Sequence, residues 1–128
     1  MVRKATKKGF NPQAITMFLW EEVTPYLSEE EVYQMMTEMK MNSKEGSILI
    51  ADFYAEEFIK EVVLREKKKS GNKLYELPEI DFVLNFSKSH KTVFNTFLEK
   101  LKMTALNSHF IGNIAKDNPF MVVAEIKL

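Results

Sequence analysis

Hydrophobic side chains recur along the chain at two spacings, and the switch between them predicts an order of elements. Ile15, Leu19 and Val23 fall on one stripe of a helix wheel, flanked by Phe18 or Trp20. Asn11 followed by Pro12 supplies an N-cap and a first-turn proline, so a first helix is expected to begin there. Pro25 disfavours helical geometry in the residue before it, which ends this helix by Thr24. Ser28 with Glu31 three positions later is a capping box, opening a second helix that runs to Met41. Asn42 with Glu45 repeats that spacing and predicts a third and longest helix, with Phe53, Phe58, Ile59, Val62 and Val63 on its apolar side. Lys67, Lys68 and Lys69 suit its last turn, where the dipole favours cations, and Gly71 suits its C-cap.

From residue 80 the period shortens to two. Ile80, Phe82, Leu84 and Phe86 lie on one side and Asp81 and Asn85 on the other, which is a strand pattern. Ser87 or Ser89 caps a fourth helix with Val93, Phe94, Phe97, Leu98 and Leu101 on one stripe. Residues 110–115 read as a second strand, and Gly112 marks a bulge. Lys116, Asp117, Asn118 and Pro119 are turn chemistry. The last nine positions, 120–128, place Phe120, Val122, Ala124, Ile126 and Leu128 on one face of a third strand. The expectation is an α+β fold: three N-terminal helices, then strand–helix–strand–strand, with a small three-stranded antiparallel sheet. Residues 1–10 are read as a basic N-terminal arm and 11–128 as one α+β domain.

Composition sharpens this picture. The 128 residues are 45% apolar and 12% aromatic, enough for a core and too apolar for intrinsic disorder. No cysteine is present, which excludes disulfides, thiolate catalysis and cysteine metal sites. The longest aliphatic run, residues 48–51, is far shorter than the roughly 20 residues of a membrane-spanning helix. The basic start is not followed by the apolar stretch of a signal peptide, so a cytoplasmic location without membrane partners is expected. Eighteen basic and eighteen acidic side chains cancel. The signs are nevertheless segregated. Arg3, Lys4, Lys7 and Lys8 stand without an acid in the first ten residues. Glu21, Glu22, Glu29, Glu30, Glu31 and Glu38 stand without a base between residues 11 and 39.

Candidate chemistry is sparse. His90 and His109 each lack a second ligand at metal spacing, and the four glycines are isolated, so no phosphate loop can be drawn. The paired glutamates fall on polar helical faces, where no carboxyl is desolvated enough for acid–base work. No catalytic, cofactor or metal site is therefore expected, and the chain reads as a non-enzyme. The apolar residues of the first predicted helix cover more of the wheel than one buried face needs, and the second carries Met35, Met36 and Met39. Methionine is pliable and over-used on partner-binding surfaces. These features point to a small adaptor or regulator that binds a larger protein with a basic, apolar groove, such as a component of transcription or replication machinery. Phe18, Trp20, Met35 and Met39 would be its apolar anchors, and Glu21, Glu22, Glu30 and Glu38 would orient the partner. The alternative is a nucleic-acid-binding module using Arg3, Lys4, Lys7 and Lys8 together with a ridge of Lys88, Lys91 and Lys102 along the fourth helix. Homodimerisation is a further expectation, with the C-terminal strand read as an unpaired edge.

Overall fold

The computed structural model of the chain describes residues 11–70, 81–86, 89–113 and 118–128. Its element order is β1 (Met17–Trp20), a 3-10 turn (Thr24–Tyr26), α1 (Glu29–Met41), β2 (Ile48–Tyr54), α2 (Glu56–Ser70), α3 (His90–Lys100), β3 (Thr104–Asn113) and β4 (Asn118–Lys127). The strands form one four-stranded mixed sheet in the order β1-β2-β4-β3. β1 runs parallel to β2, with Phe18 beside Leu49 and Trp20 beside Ala51. β4 is antiparallel to both of its neighbours. The two parallel strands are joined through α1, which is the long crossover that parallel pairing requires.

Two local signals determine α1. Ser28 accepts from the Glu31 amide at 3.1 Å while Glu31 Oε1 accepts from the Ser28 amide at 3.1 Å, a complete capping box. Glu29, Glu30 and Glu31 occupy the positive end of the helix dipole. α3 is capped by Ser89, whose hydroxyl accepts from the Thr92 amide. Both helices lay apolar stripes against one face of the sheet. Val32, Met36 and Met39 of α1 and Phe94, Phe97 and Leu98 of α3 are buried with Leu49, Ala51 and Phe53 of β2 and Val122, Ala124 and Ile126 of β4. Phe53 is the hub of this layer, with ring centroids 5.5 Å from Phe94 and 5.3 Å from Phe97.

The structure corrects the expected order of elements. There are not three helices before the first strand. Residues 11–24, expected as a helix, hold a turn, β1 and the start of the 3-10 turn. Every position from 15 to 20 except Thr16 is apolar, so both the helical and the alternating spacing can be traced through it. Pairing with β2 decides in favour of the strand. The expected third helix is two elements. Gly46, at φ +95°, ends the turn after α1, and the run Ile-Leu-Ile-Ala-Asp-Phe-Tyr forms β2 before α2 begins. A short apolar run of this kind does not distinguish a buried strand from a helical segment by period.

Residues 81–86 do alternate, with Phe82, Leu84 and Phe86 buried and Asp81 and Asn85 exposed. They nevertheless contribute a single bridge, Leu84 to Ala55, rather than a strand of the sheet. Two of their backbone amides reach outside the sheet: the Asp81 amide donates to the Pro25 carbonyl of the 3-10 turn and the Phe82 amide to the Leu27 carbonyl. The expected strand at 110–115 begins earlier, at Thr104, and its last two positions lie outside the described residues. Finally, β4 is interior, hydrogen-bonded on both sides, so the C-terminal strand is not the edge expected for homodimerisation. The edges are β1 and β3.

Candidate functional site

Side chains alternate across a strand. On β1 this sends Phe18 and Trp20 toward the helices and Met17 and Leu19 to the opposite face. Ile15, Met17 and Leu19 form a row there, 67%, 66% and 67% exposed. In register beside them, Ile48 partners Met17 and Ile50 partners Leu19, both half-buried. This corner of the sheet's back face is therefore apolar.

Farther along β2 on the same face, chemistry changes. Asp52 is only 7% exposed, and its carboxylate is engaged from two directions. The Glu22 amide donates to Oδ1 at 3.0 Å and to Oδ2 at 3.2 Å, and the Tyr54 hydroxyl donates to Oδ2 at 3.1 Å. Glu22 itself has φ +55°, the left-handed region that non-glycine residues seldom occupy. The buried carboxylate thus holds the turn that follows β1, and the Thr24 hydroxyl donating to the Asp52 carbonyl fixes the next residue pair. Burial pushes the Asp52 carboxyl above its ordinary range, and the Glu21 charge adds to this against the hydrogen bonds from Glu22 and Tyr54. The Tyr54 hydroxyl is pushed well up, chiefly by burial and then by the charges of Asp52, Glu22 and Glu21.

A group whose folded pKa is raised contributes stability that is fully present below its unfolded pKa and lost as pH rises through the folded value. Asp52 therefore opposes folding increasingly from the ordinary carboxylate range toward neutrality. Asp52→Asn, which keeps an acceptor for the Glu22 amide, is expected to match the parent near pH 3.5 and to gain stability relative to it toward pH 7, starting from an ordinary carboxylate pKa of about 3.9. Thermal melts of both proteins across that range check the sign. A parent that gains on the variant as pH rises would contradict it.

Around Asp52 lies a cavity of about 470 Å³. Phe58, Ile59 and Val62 from α2 wall it, with Pro25, Tyr26 and Met121 completing the apolar lining. Glu21, Glu22 and Asp52 supply its polar part. The Tyr54 and Phe58 rings stack at 6.2 Å with an interplanar angle of 15°. A second cavity, about 390 Å³, lies on the helical side between α1, α3 and residues 81–84, with Glu29, Asp81 and Lys100 of mixed charge on its wall.

The residues singled out from the sequence are dispersed by this arrangement. Trp20 and Met39 lie in the core at 7% and 5% exposure. Phe18 and Met35 are half-buried against the same cluster. Glu21 and Glu22 stand exposed in the turn after β1 and meet at the back-face cavity. Glu30 is exposed and Glu38 half-buried, but both belong to α1, on the helical side. Arg3, Lys4, Lys7, Lys8 and Lys88 lie outside the described residues. Lys91 is exposed in the first turn of α3, and Lys102 is exposed beyond its last residue, with φ +55°, so the two do not share a ridge along the helix. His90 is buried, with its ring 4.5 Å from that of Phe110, and His109 is an exposed residue within β3. Among the described residues, no group of three His, Asp or Glu side chains has the geometry to hold a metal ion, and no helix is long and apolar enough to cross a membrane.

Sequence reasoning missed Ile15, Met17 and Leu19 as the exposed set, although their period-two spacing was visible. It also missed Asp52, the one charged residue in the apolar run 48–54, which is the signal of a buried polar group with a local task. The architecture is that of an α+β protein with two helices on one face of a mixed sheet and a partly open opposite face. No protein family model matches the chain, and no curated protein matches it in sequence.

Proposed function

We propose that the chain is a small non-enzymatic module that binds a larger protein through the back face of its sheet. The observation that carries this reading is the row of Ile15, Met17 and Leu19, three large apolar side chains each about two thirds exposed, the last two on the edge strand β1 and the first just before it. Contiguous exposed apolar surface marks interaction sites in proteins that are otherwise well packed. The row continues into half-buried Ile48 and Ile50 and borders the exposed carboxylates Glu21 and Glu22. An apolar centre with an acidic end suits a groove that is apolar with a basic rim, and the charges speed and orient encounter. The anchors of this reading belong to the segment that the sequence singled out, but they sit on the other side of the strand from Phe18 and Trp20.

The test is affinity capture from the native cell with three baits, each with and without nuclease: the parent chain, Met17→Glu/Leu19→Glu, and Glu21→Lys/Glu22→Lys. All four positions are exposed, so circular dichroism should show folded variants. A protein recovered stoichiometrically by the parent, resistant to nuclease, should be lost from the first variant, because central apolar anchors carry about 2 kcal/mol or more each, roughly 30-fold in affinity. The charge reversal should weaken recovery most at low salt. Undiminished recovery by the Met17/Leu19 variant would defeat the proposal. Disappearance of every captured protein on nuclease treatment would instead favour nucleic acid.

A further inference from the structure

The back-face cavity adds a recognition element to that surface. Its walls are apolar and aromatic, and the groups at its polar end are all of one sign. Glu21, Glu22 and Asp52 line it, and among the described residues no lysine, arginine or histidine does. None of the three carboxylates forms a salt bridge with a described residue; among those residues the ion pair is Lys60 with Glu56 on α2. The carboxylates do not converge as a metal site would. Carboxylates beside apolar walls suit a cation carried on a hydrocarbon stem rather than a bare ion.

We propose that this cavity receives a Lys or Arg side chain of the partner protein, with its charged head at Glu21, Glu22 and Asp52 and its methylene stem against Tyr26, Phe58 and Val62. Long basic side chains bury their stems on apolar surface while the charge finds a counter-ion. Tyr26, exposed on the lining, brings an aromatic ring of the kind that attracts ammonium and guanidinium groups, while Tyr54 and Phe58 are stacked on each other beside it. Burial first, and then the charges of Asp52, Glu22 and Glu21, hold the Tyr54 proton more tightly at the same place. Continuity argues for a polypeptide occupant: Glu21 lies two residues beyond Leu19 on the chain, so one bound segment can cover the aliphatic row and insert a basic side chain beside it. The inference rests on the binding reading above and specifies what the partner must present.

Titration of the isotope-labelled full chain with acetyl-Leu-Arg-Leu amide, followed by amide resonances, tests it directly. Shifts are expected at Glu22, Asp52, Tyr54 and Val62. The same tripeptide with citrulline in place of arginine should bind about tenfold more weakly, the effect of about 1.4 kcal/mol in charge pairing. Glu21→Gln/Glu22→Asn should lose a similar factor for the arginine peptide. Asparagine tolerates the left-handed backbone at position 22, and both sites are exposed, so the fold is retained. Equal binding of the citrulline peptide, or shifts confined to other surfaces, would overturn the inference. So would n-butylammonium chloride binding as tightly as the arginine peptide, which would assign the cavity to free amines. Absent peptide binding with capture still dependent on Met17 and Leu19 overturns this inference alone. Peptide binding with capture indifferent to those residues overturns the reading above alone.

Discussion

Replacing Phe53 by alanine is expected to remove about 3–5 kcal/mol of stability, the range for truncating a fully buried aromatic residue. Phe53 has no exposed surface, and its ring meets Phe82 at 6.5 Å, Phe94 at 5.5 Å and Phe97 at 5.3 Å. These neighbours come from two separate parts of the chain, residues 81–86 and α3, so a collapse from one side cannot fill the hole for the other. The cost combines lost transfer energy, lost ring contacts and an unfilled cavity. For a chain of this size the melting temperature should fall by about 10–20 °C. Urea unfolding should show a lower midpoint with an unchanged slope. Leu106→Ala is the control: that side chain is 52% exposed, and its loss should change stability by less than about 0.5 kcal/mol. Comparable effects at the two positions would mean that the core is not centred where the structure puts it.

Gly112→Ala is expected to be the second severe substitution, costing about 2–3 kcal/mol. Gly112 has φ +131°, a backbone conformation open to glycine and strained for other residues. A Cβ there would lie 2.7 Å from the Phe120 backbone nitrogen and 2.6 Å from Cδ1 of its ring. The ring can turn, but the nitrogen belongs to β4 and cannot move without displacing the pairing of β3 with β4. The register shifts between Ile111 and Gly112 at this point, so the glycine permits the bulge that lets the two strands finish together. Denaturant unfolding measures the cost. Amide exchange should quicken at Ile111 and Met121 before it does at Phe94. An alanine variant as stable as the parent would show that the bulge relaxes freely.

Local signals in the sequence were reliable where their physics is local. The capping box at Ser28 and Glu31 closes within four residues, and α1 starts where it should and ends at Met41. The cap at Ser89 and the stripe of Phe94, Phe97 and Leu98 specify α3 in the same way. The alternation of Phe82, Leu84 and Phe86 marked their burial correctly, yet did not say whether the segment joins a sheet. Burial needs only an inward side, whereas a strand needs a neighbour, and the neighbour is remote in sequence.

The same distinction explains the candidate site. Apart from Thr16 and Asp52, residues 15–20 and 48–54 are apolar or aromatic on both sides, so the helical and extended readings compete on nearly equal terms within each segment. Once β1 pairs with β2, Trp20 is drawn into the core and Met17 and Leu19 are turned outward. A one-residue slip in that register would exchange the two sets. Asp52 and Glu22, thirty residues apart, meet only because parallel pairing brings the end of β1 beside β2.

By itself, then, the sequence determined the α+β class, the two capped helices, the aromatic content of the core and the concentration of acid near the beginning of the chain. Tertiary structure alone decided which segments became strands, that β4 is interior, and which aliphatic side chains face water beside an acidic cavity. Caps and turns act through hydrogen bonds a few residues long, so the chain carries them in plain view. Sheet order and sidedness follow from contacts between distant segments, and those exist only after folding.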